Sequence, residues 1–134
     1  MDVLEKVIQL NKIMDDLDNF DGSIPDLQQE IDYKVSDLYH YLENTTMDSK
    51  KSYRFCKELK KILLERRQIK NNIAISNSYS SQKQKFMSGA DNRKIALSAI
   101  GKTKKQLEST YKYRIYTEEQ IKEIMEGDND IRKN

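Results

Sequence analysis

The chain has 134 residues, of which 34% are charged and 37% hydrophobic, and its mean hydropathy is −0.88. One Pro and four Gly are too few for a turn-rich β fold. No apolar run approaches the ~20 residues that a membrane span needs. A single Cys excludes an intrachain disulfide and indicates a reducing compartment, so we expect a cytoplasmic protein.

The formal net charge of +2 conceals three segments of alternating sign. Residues 1–48 contain 12 acids and 3 bases, and residues 49–116 contain 18 bases and 4 acids. Residues 117–134 contain 6 acids and 3 bases. Such polarity indicates either that the segments pair with one another or that the basic segment binds an anionic partner.

The first 44 residues predict two helices separated by a break. Gly22 should end the first helix, residues 2–20, because glycine adopts positive φ at no steric cost. Ser23 should then cap the second helix, with Pro25 in its first turn. The first helix carries an apolar stripe at heptad spacing, formed by Val3, Val7, Leu10, Met14 and Leu17.

Residues 48–73 form the longest stretch with a helical period and no breaker. The loop before them is short, so this basic helix should fold back antiparallel on the acidic second helix. Arg66 lies within its apolar seam, and two interpretations stay open. Either its stem lies at the core edge with its head in water, or its head is buried against an acid of the partner helix. The seam consists of Phe55, Leu59, Ile62, Arg66, Ile69 and Ile73.

The remaining chain predicts a loop, a helix, a strand and a last helix. Residues 76–92 are rich in Ser and Asn, which compete with the backbone for hydrogen bonds; a flexible connector is favoured over a continuing weak helix. Residues 93–109 predict a basic helix. Residues 111–116 alternate aromatic and basic side chains and are the one strand candidate. Thr117 begins a capping box that opens the last helix, and Gly127 should end it.

The predicted fold is therefore mainly α, an antiparallel helical hairpin or coiled-coil-like bundle with one short C-terminal strand and helix. Residues 1–75 form the hairpin core and residues 76–92 the connector. Residues 93–127 contain the basic helix, the strand and the terminal helix. Residues 128–134 form a disordered tail.

His40 and Cys56 are the only histidine and the only cysteine. The usual environment of a free Cys is a buried apolar one, and a lone His lacks the companions of a metal site. The hairpin places both about two turns from its loop, so a Cys–His dyad stays open, but no orienting group or oxyanion turn accompanies it. Nucleotide-binding fingerprints are absent. We expect no catalytic residue, no metal site and no cofactor, and therefore no enzyme.

Bases interleaved with aromatic residues are the strongest functional signal, because cations and stacking rings can bind phosphates and bases. The same composition also suits a solvated surface beside a protein partner. The candidate residues for an anionic partner are Lys83, Lys85, Arg93, Lys94, Lys102, Lys104, Lys105, Lys112 and Arg114. The candidate residues for a protein interface are Val3, Val7, Leu10, Met14, Arg66, Arg67, Tyr111 and Tyr113.

Three runs of the sequence resemble small helical proteins of phages and prophages of low-GC Firmicutes, a largely uncharacterised family. They are SDLYHYLE at 36–43, SYRFCKELKKILLERRQIKNNI at 52–73 and YKYRIYTEEQIKEIME at 111–126. The resemblance implies the cytoplasm of an infected or lysogenic bacterium. It also implies a non-catalytic accessory protein that binds a host or host-defence protein and inhibits or redirects it.

Two further expectations concern partners. The thick N-terminal stripe predicts a homo-oligomer, with a dimer as the expected form, and no membrane partner is expected. The alternative function is a nucleic-acid-binding regulator that uses the basic residues 83–114.

Overall fold

The computed structural model describes residues 2–108 and 111–133, which form four helices. Helix α1 spans Val3–Asn44, α2 spans Ser49–Met87, α3 spans Ala90–Leu107 and α4 spans Glu118–Lys133. Helix α2 is the shared element, since α1 and α3 both pack on it but not on each other. In the part of the chain that the structure describes, helix α4 packs on none of the other three. The mainly helical fold predicted from the sequence is confirmed.

Helices α1 and α2 form an antiparallel hairpin around a small apolar cluster. Ile31 and Val35 of α1 pack with Ile62 of α2, and Leu38 and Ile69 extend this cluster. Closer to the loop, the rings of Tyr41 and Phe55 stack with their centroids 6.1 Å apart. The Asp48 carboxylate accepts a hydrogen bond from the Lys51 amide at 2.8 Å, which caps α2. Burial of this seam is what holds the hairpin closed.

Ion pairs join the acidic helix to the basic one along the hairpin. Arg66 Nε donates to Asp32 Oδ1 at 3.0 Å, and Lys83 Nζ lies 3.6 Å from Asp18 Oδ1. The Arg66 and Asp32 side chains are 33% and 55% exposed. Arg66 thus binds an acid of the partner helix without being buried, so neither sequence interpretation holds in full. A pair this exposed contributes about 0–1 kcal/mol and mainly fixes the register of the two helices.

The predicted break at residues 21–23 is wrong, because α1 continues through Gly22 and Pro25. Ser23 does not cap a new helix; its hydroxyl donates to the Phe20 carbonyl at 2.7 Å. Pro25 cannot donate to the carbonyl of Asp21, but that residue is exposed and water can satisfy it. Packing of the surrounding turns against α2 outweighs the local preference for a helix end.

The predicted connector at residues 76–92 is also wrong, because α2 continues to Met87. Ser76 is buried, and the Thr103 hydroxyl of α3 donates to the Ser78 hydroxyl at 3.0 Å. Ala96 of α3 is completely buried, and among the described residues α3 contacts no helix other than α2. Small side chains let two helices approach closely, so the serines serve helix packing here. Only Ser88 and Gly89 connect α2 to α3.

The C-terminal segment departs from the prediction at two points. No strand occurs in the described residues, and residues 111–116 are irregular, because a single strand finds no partner for its amides and carbonyls. Helix α4 passes Gly127 and continues to Lys133, where a disordered tail was expected; a glycine weakens a helix by about 1 kcal/mol without ending it.

The predicted capping box of α4 is present. The Thr117 amide donates to Gln120 Oε1 at 2.9 Å, and the Gln120 amide donates to the Thr117 hydroxyl at 3.1 Å. Among the described residues, no helix combines the length and the apolarity that a bilayer crossing requires.

Gly22→Ala tests the continuity of α1. No atom lies within 4 Å of an added Cβ, and Gly22 lacks a positive φ, so we expect the free energy of unfolding to rise by about 0.5–1 kcal/mol. Gly89→Ala is the matched control, because its φ of +148° should make the same change destabilising. Urea denaturation followed by circular dichroism measures both. A loss of stability in Gly22→Ala would indicate a helix end at this position.

Candidate functional site

The described helices bury little apolar surface and expose much of it. The buried hydrophobic residues are Ile31, Val35, Phe55, Ile62, Ile73 and Ala96. Many larger side chains are exposed, and they fall mainly at the start of α1 and in the C-terminal half of the chain. Contiguous apolar surface on a soluble protein usually marks a place where something binds. These two regions are therefore the candidate sites.

The first region is the start of α1, residues 3–13, which we call the N-terminal overhang. The Asp18–Lys83 pair lies near the end of α2, so residues before position 14 extend past Met87 for about 16 Å. Val3 is 76% exposed and Leu10 50% exposed. Of the predicted interface residues, Val3, Val7 and Leu10 lie on this overhang. Met14 is half-buried and marks where contact with α2 begins.

The second region is an open groove of about 540 Å³ between α2 and α3, the α2/α3 groove. Its apolar lining comes from Ile75 of α2 and from Leu97, Ile100 and Leu107 of α3. Lys104 and Glu108 also line it. Sequence reasoning missed this groove because it ended the predicted helix before residue 75. The apolar period of α3 was the signal that could have indicated it.

A basic concavity of about 650 Å³ adjoins the end of the groove. Arg67 of α2 lines it together with the segment after α3. The rings of Tyr111 and Tyr113 meet edge to face with centroids 5.8 Å apart. Leu107 lines both cavities and so joins them. The concavity contains Arg67, Gln106, Leu107, Tyr111, Lys112, Tyr113 and Arg114.

The structure therefore divides the predicted interface residues among three places. Arg67, Tyr111 and Tyr113 come together at the concavity, whereas Arg66 points to the other side and binds Asp32. The remaining four, Val3, Val7, Leu10 and Met14, belong to α1. Sequence reasoning placed these residues in one set because it had no means of knowing which turns of α2 face α1.

The predicted cationic residues also separate by environment. Lys83 binds Asp18, and the Arg93 guanidinium lies over the Phe86 ring, 5.7 Å from its centroid. These two cations already have intrachain partners. Lys85, near the end of α2, is exposed.

The other cations belong to α3 and to the segment that follows it. Lys94, Lys102 and Lys105 share the outer side of α3 and are exposed. Lys104 lies at the groove, and Lys112 and Arg114 line the concavity. Positive charge is thus concentrated around the C-terminal end of α3, next to apolar surface.

The predicted burial of Cys56 is wrong, because this thiol is exposed. Phe55, which was predicted to lie in the apolar seam, is buried, with its ring against Tyr41. His40 is exposed, and its carbonyl accepts a hydrogen bond from Asn44 Nδ2 at 2.8 Å. Within the described residues, no three His, Cys, Asp or Glu side chains come together in a way that could bind a metal.

Comparison with known proteins adds no relative. The chain matches no protein-family model, no curated protein and no solved structure at a significant level.

Cys56→Ser and His40→Ala test the thiol environment. We expect Cys56 of the native protein to react with a thiol reagent at the rate of an exposed cysteine, because its side chain lies at the surface. His40→Ala should leave that rate unchanged, and Cys56→Ser should abolish the reaction. Stopped-flow absorbance measures the rate. A fall in rate with His40→Ala would show that the imidazole activates the thiol.

Proposed function

We propose that this protein is a non-catalytic, phage-type accessory protein that binds a host or host-defence protein and inhibits or redirects it. The observation that carries the proposal is the α2/α3 groove, an open and mainly apolar surface whose lining also includes Lys104 and Glu108. The resemblance of three sequence runs to phage and prophage proteins supports the biological setting. A homodimer in the cytoplasm of the bacterial host is part of the same proposal.

The groove indicates what kind of segment it binds. Leu97, Ile100 and Leu107 are spaced along one side of α3, so an amphipathic helix laid along the groove could place its apolar residues against them. Lys104 and Glu108 both line the groove, so the groove itself favours neither sign of charge. The proposed partner segment for the groove is therefore an amphipathic helix with its apolar face inward.

Arg67, Lys112 and Arg114 add a preference for acidic residues of the partner beyond the groove. They line the concavity at its end, where the two tyrosine rings offer flat apolar surface with hydroxyl groups. Arg and Tyr are frequent anchors of protein interfaces, because they combine large contact areas with hydrogen bonds. Groove and concavity together would accommodate a longer acidic partner than either alone.

Leu97→Asp is expected to abolish partner binding, because it places a carboxylate in the groove. Leu64→Asp is the matched control, since Leu97 and Leu64 are 60% and 61% exposed and only Leu97 lines the groove. Tagged wild-type protein and both variants are incubated with a low-GC Firmicute lysate, and retained proteins are identified by mass spectrometry. The purified partner is then assayed with and without the protein.

The expected result is a protein retained by wild type and Leu64→Asp, lost with Leu97→Asp, and altered in activity when bound. Retention of the same proteins by Leu97→Asp, or retention of none by wild type, would refute the groove as the binding site.

A second candidate function is supported by the basic concavity. Tyr111 and Tyr113 lie between Lys112, Arg114 and Arg67, and rings beside cations can stack bases while neutralising phosphates. This arrangement supports a nucleic-acid-binding regulator that uses residues 83–114 together with Arg67.

Fluorescence anisotropy with labelled single-stranded and duplex DNA tests this alternative. We expect affinity to fall steeply as salt rises, because bound phosphates release counterions. Charge reversal of Lys112 and Arg114 should abolish binding, whereas reversal of Lys102 and Lys105 on the outer side of α3 should only weaken it. Absence of binding at low salt would exclude this function.

A further inference from the structure

The N-terminal overhang continues an interface that the fold already uses. From Met14 onward, the apolar stripe of α1 packs on α2. The same heptad stripe continues backward through Leu10 and Val7 to Val3, beyond the end of α2. Its side chains there are at least half exposed. A helix that continued antiparallel past Met87 would cover them as α2 covers the rest of α1.

The apolar residues at the start of α1 have the same spacing whether the chain is followed from N to C or from C to N. The steps from Val3 to Val7, Leu10 and Met14 are four, three and four residues, and the reverse order gives the same steps. An antiparallel second copy therefore places Val7 opposite Leu10 of the other chain and Val3 opposite its Met14. Each seam residue thus faces an apolar one.

Charge distinguishes the overhang from the rest of α1. Residues 2–13 contain two acids and two bases, whereas residues 14–44 contain nine acids and one base. Two copies of the later part would repel each other, but two overhangs are neutral. Glu5 and Lys12 lie on the side of α1 opposite the apolar stripe, so neither charge enters the pairing.

We propose that two copies of this chain associate end to end through an antiparallel pairing of their N-terminal overhangs. The proposal deepens the homodimer proposed above by naming its segment and its register. Met87 is 48% exposed at the end of α2 and adjoins the overhang, so it would contact the start of the second copy. The two α2/α3 grooves would lie on separate arms of the dimer and remain accessible.

The area of such an interface implies a weak dimer. About three helical turns from each chain bury less than the ~1,200–2,000 Å² of stable protein complexes. Association should therefore depend on concentration.

Sedimentation of the full-length protein at several concentrations tests the pairing. Leu10→Asp should give a monomer of unchanged helicity, and Leu64→Asp should behave as wild type.

Disulfide formation gives a second measurement in a Cys56→Ser background. A mixture of Val7→Cys and Leu10→Cys chains should cross-link to each other faster than either cross-links to itself. A wild-type protein that stays monomeric at all concentrations would refute both this pairing and the homodimer. A dimer that persists in Leu10→Asp would refute this pairing alone. Neither result depends on Leu97 or on the α2/α3 groove. Failure of the proposed partner binding would be detected separately, in the experiment with Leu97→Asp.

Discussion

The packing of α1 and α3 on α2 is the interaction on which the rest of the structure depends. Among the described helices, α1 and α3 bury surface only against α2. The central cluster of Ile31, Val35 and Ile62 is small. The apolar side chains that are buried are therefore spread along the length of α2 and do not form one thick core. A thin core of this kind also leaves much apolar surface exposed, and the candidate binding sites lie on that surface.

The two main departures from the sequence prediction have one common cause. Residues 76–87 stay helical because α1 and α3 both pack on them. Residues 14–24 of α1 stay helical through Gly22 because this part of α2 is there to receive them, as the Asp18–Lys83 pair shows. Neither segment has a strong intrinsic helix propensity. Packing of each segment against the other supplies the stabilisation that keeps both helical.

The same packing determines which charged residues are available to a partner. Lys83 and Arg66 bind acids of α1, so they contribute to helix register. Arg67, one residue along α2 from Arg66, lies about 100° further around the helix and lines the basic concavity. The functional assignment of a cation in this protein thus depends on the side of α2 from which it projects, as well as on its position in the sequence.

The sequence by itself determined the helical class, the acidic–basic hairpin around the loop before Asp48, and the capping box at Thr117. Each of these follows from local period, charge or side-chain capping, which neighbouring residues specify. Only the tertiary structure decided that α1 and α2 run unbroken, that Cys56 is exposed, and that residues 111–116 form no strand. It also brought Ile75 to Leu97 and Arg67 to Tyr111. Those outcomes depend on which surfaces meet across long sequence separations, and a pattern read along one chain contains no information about such distances.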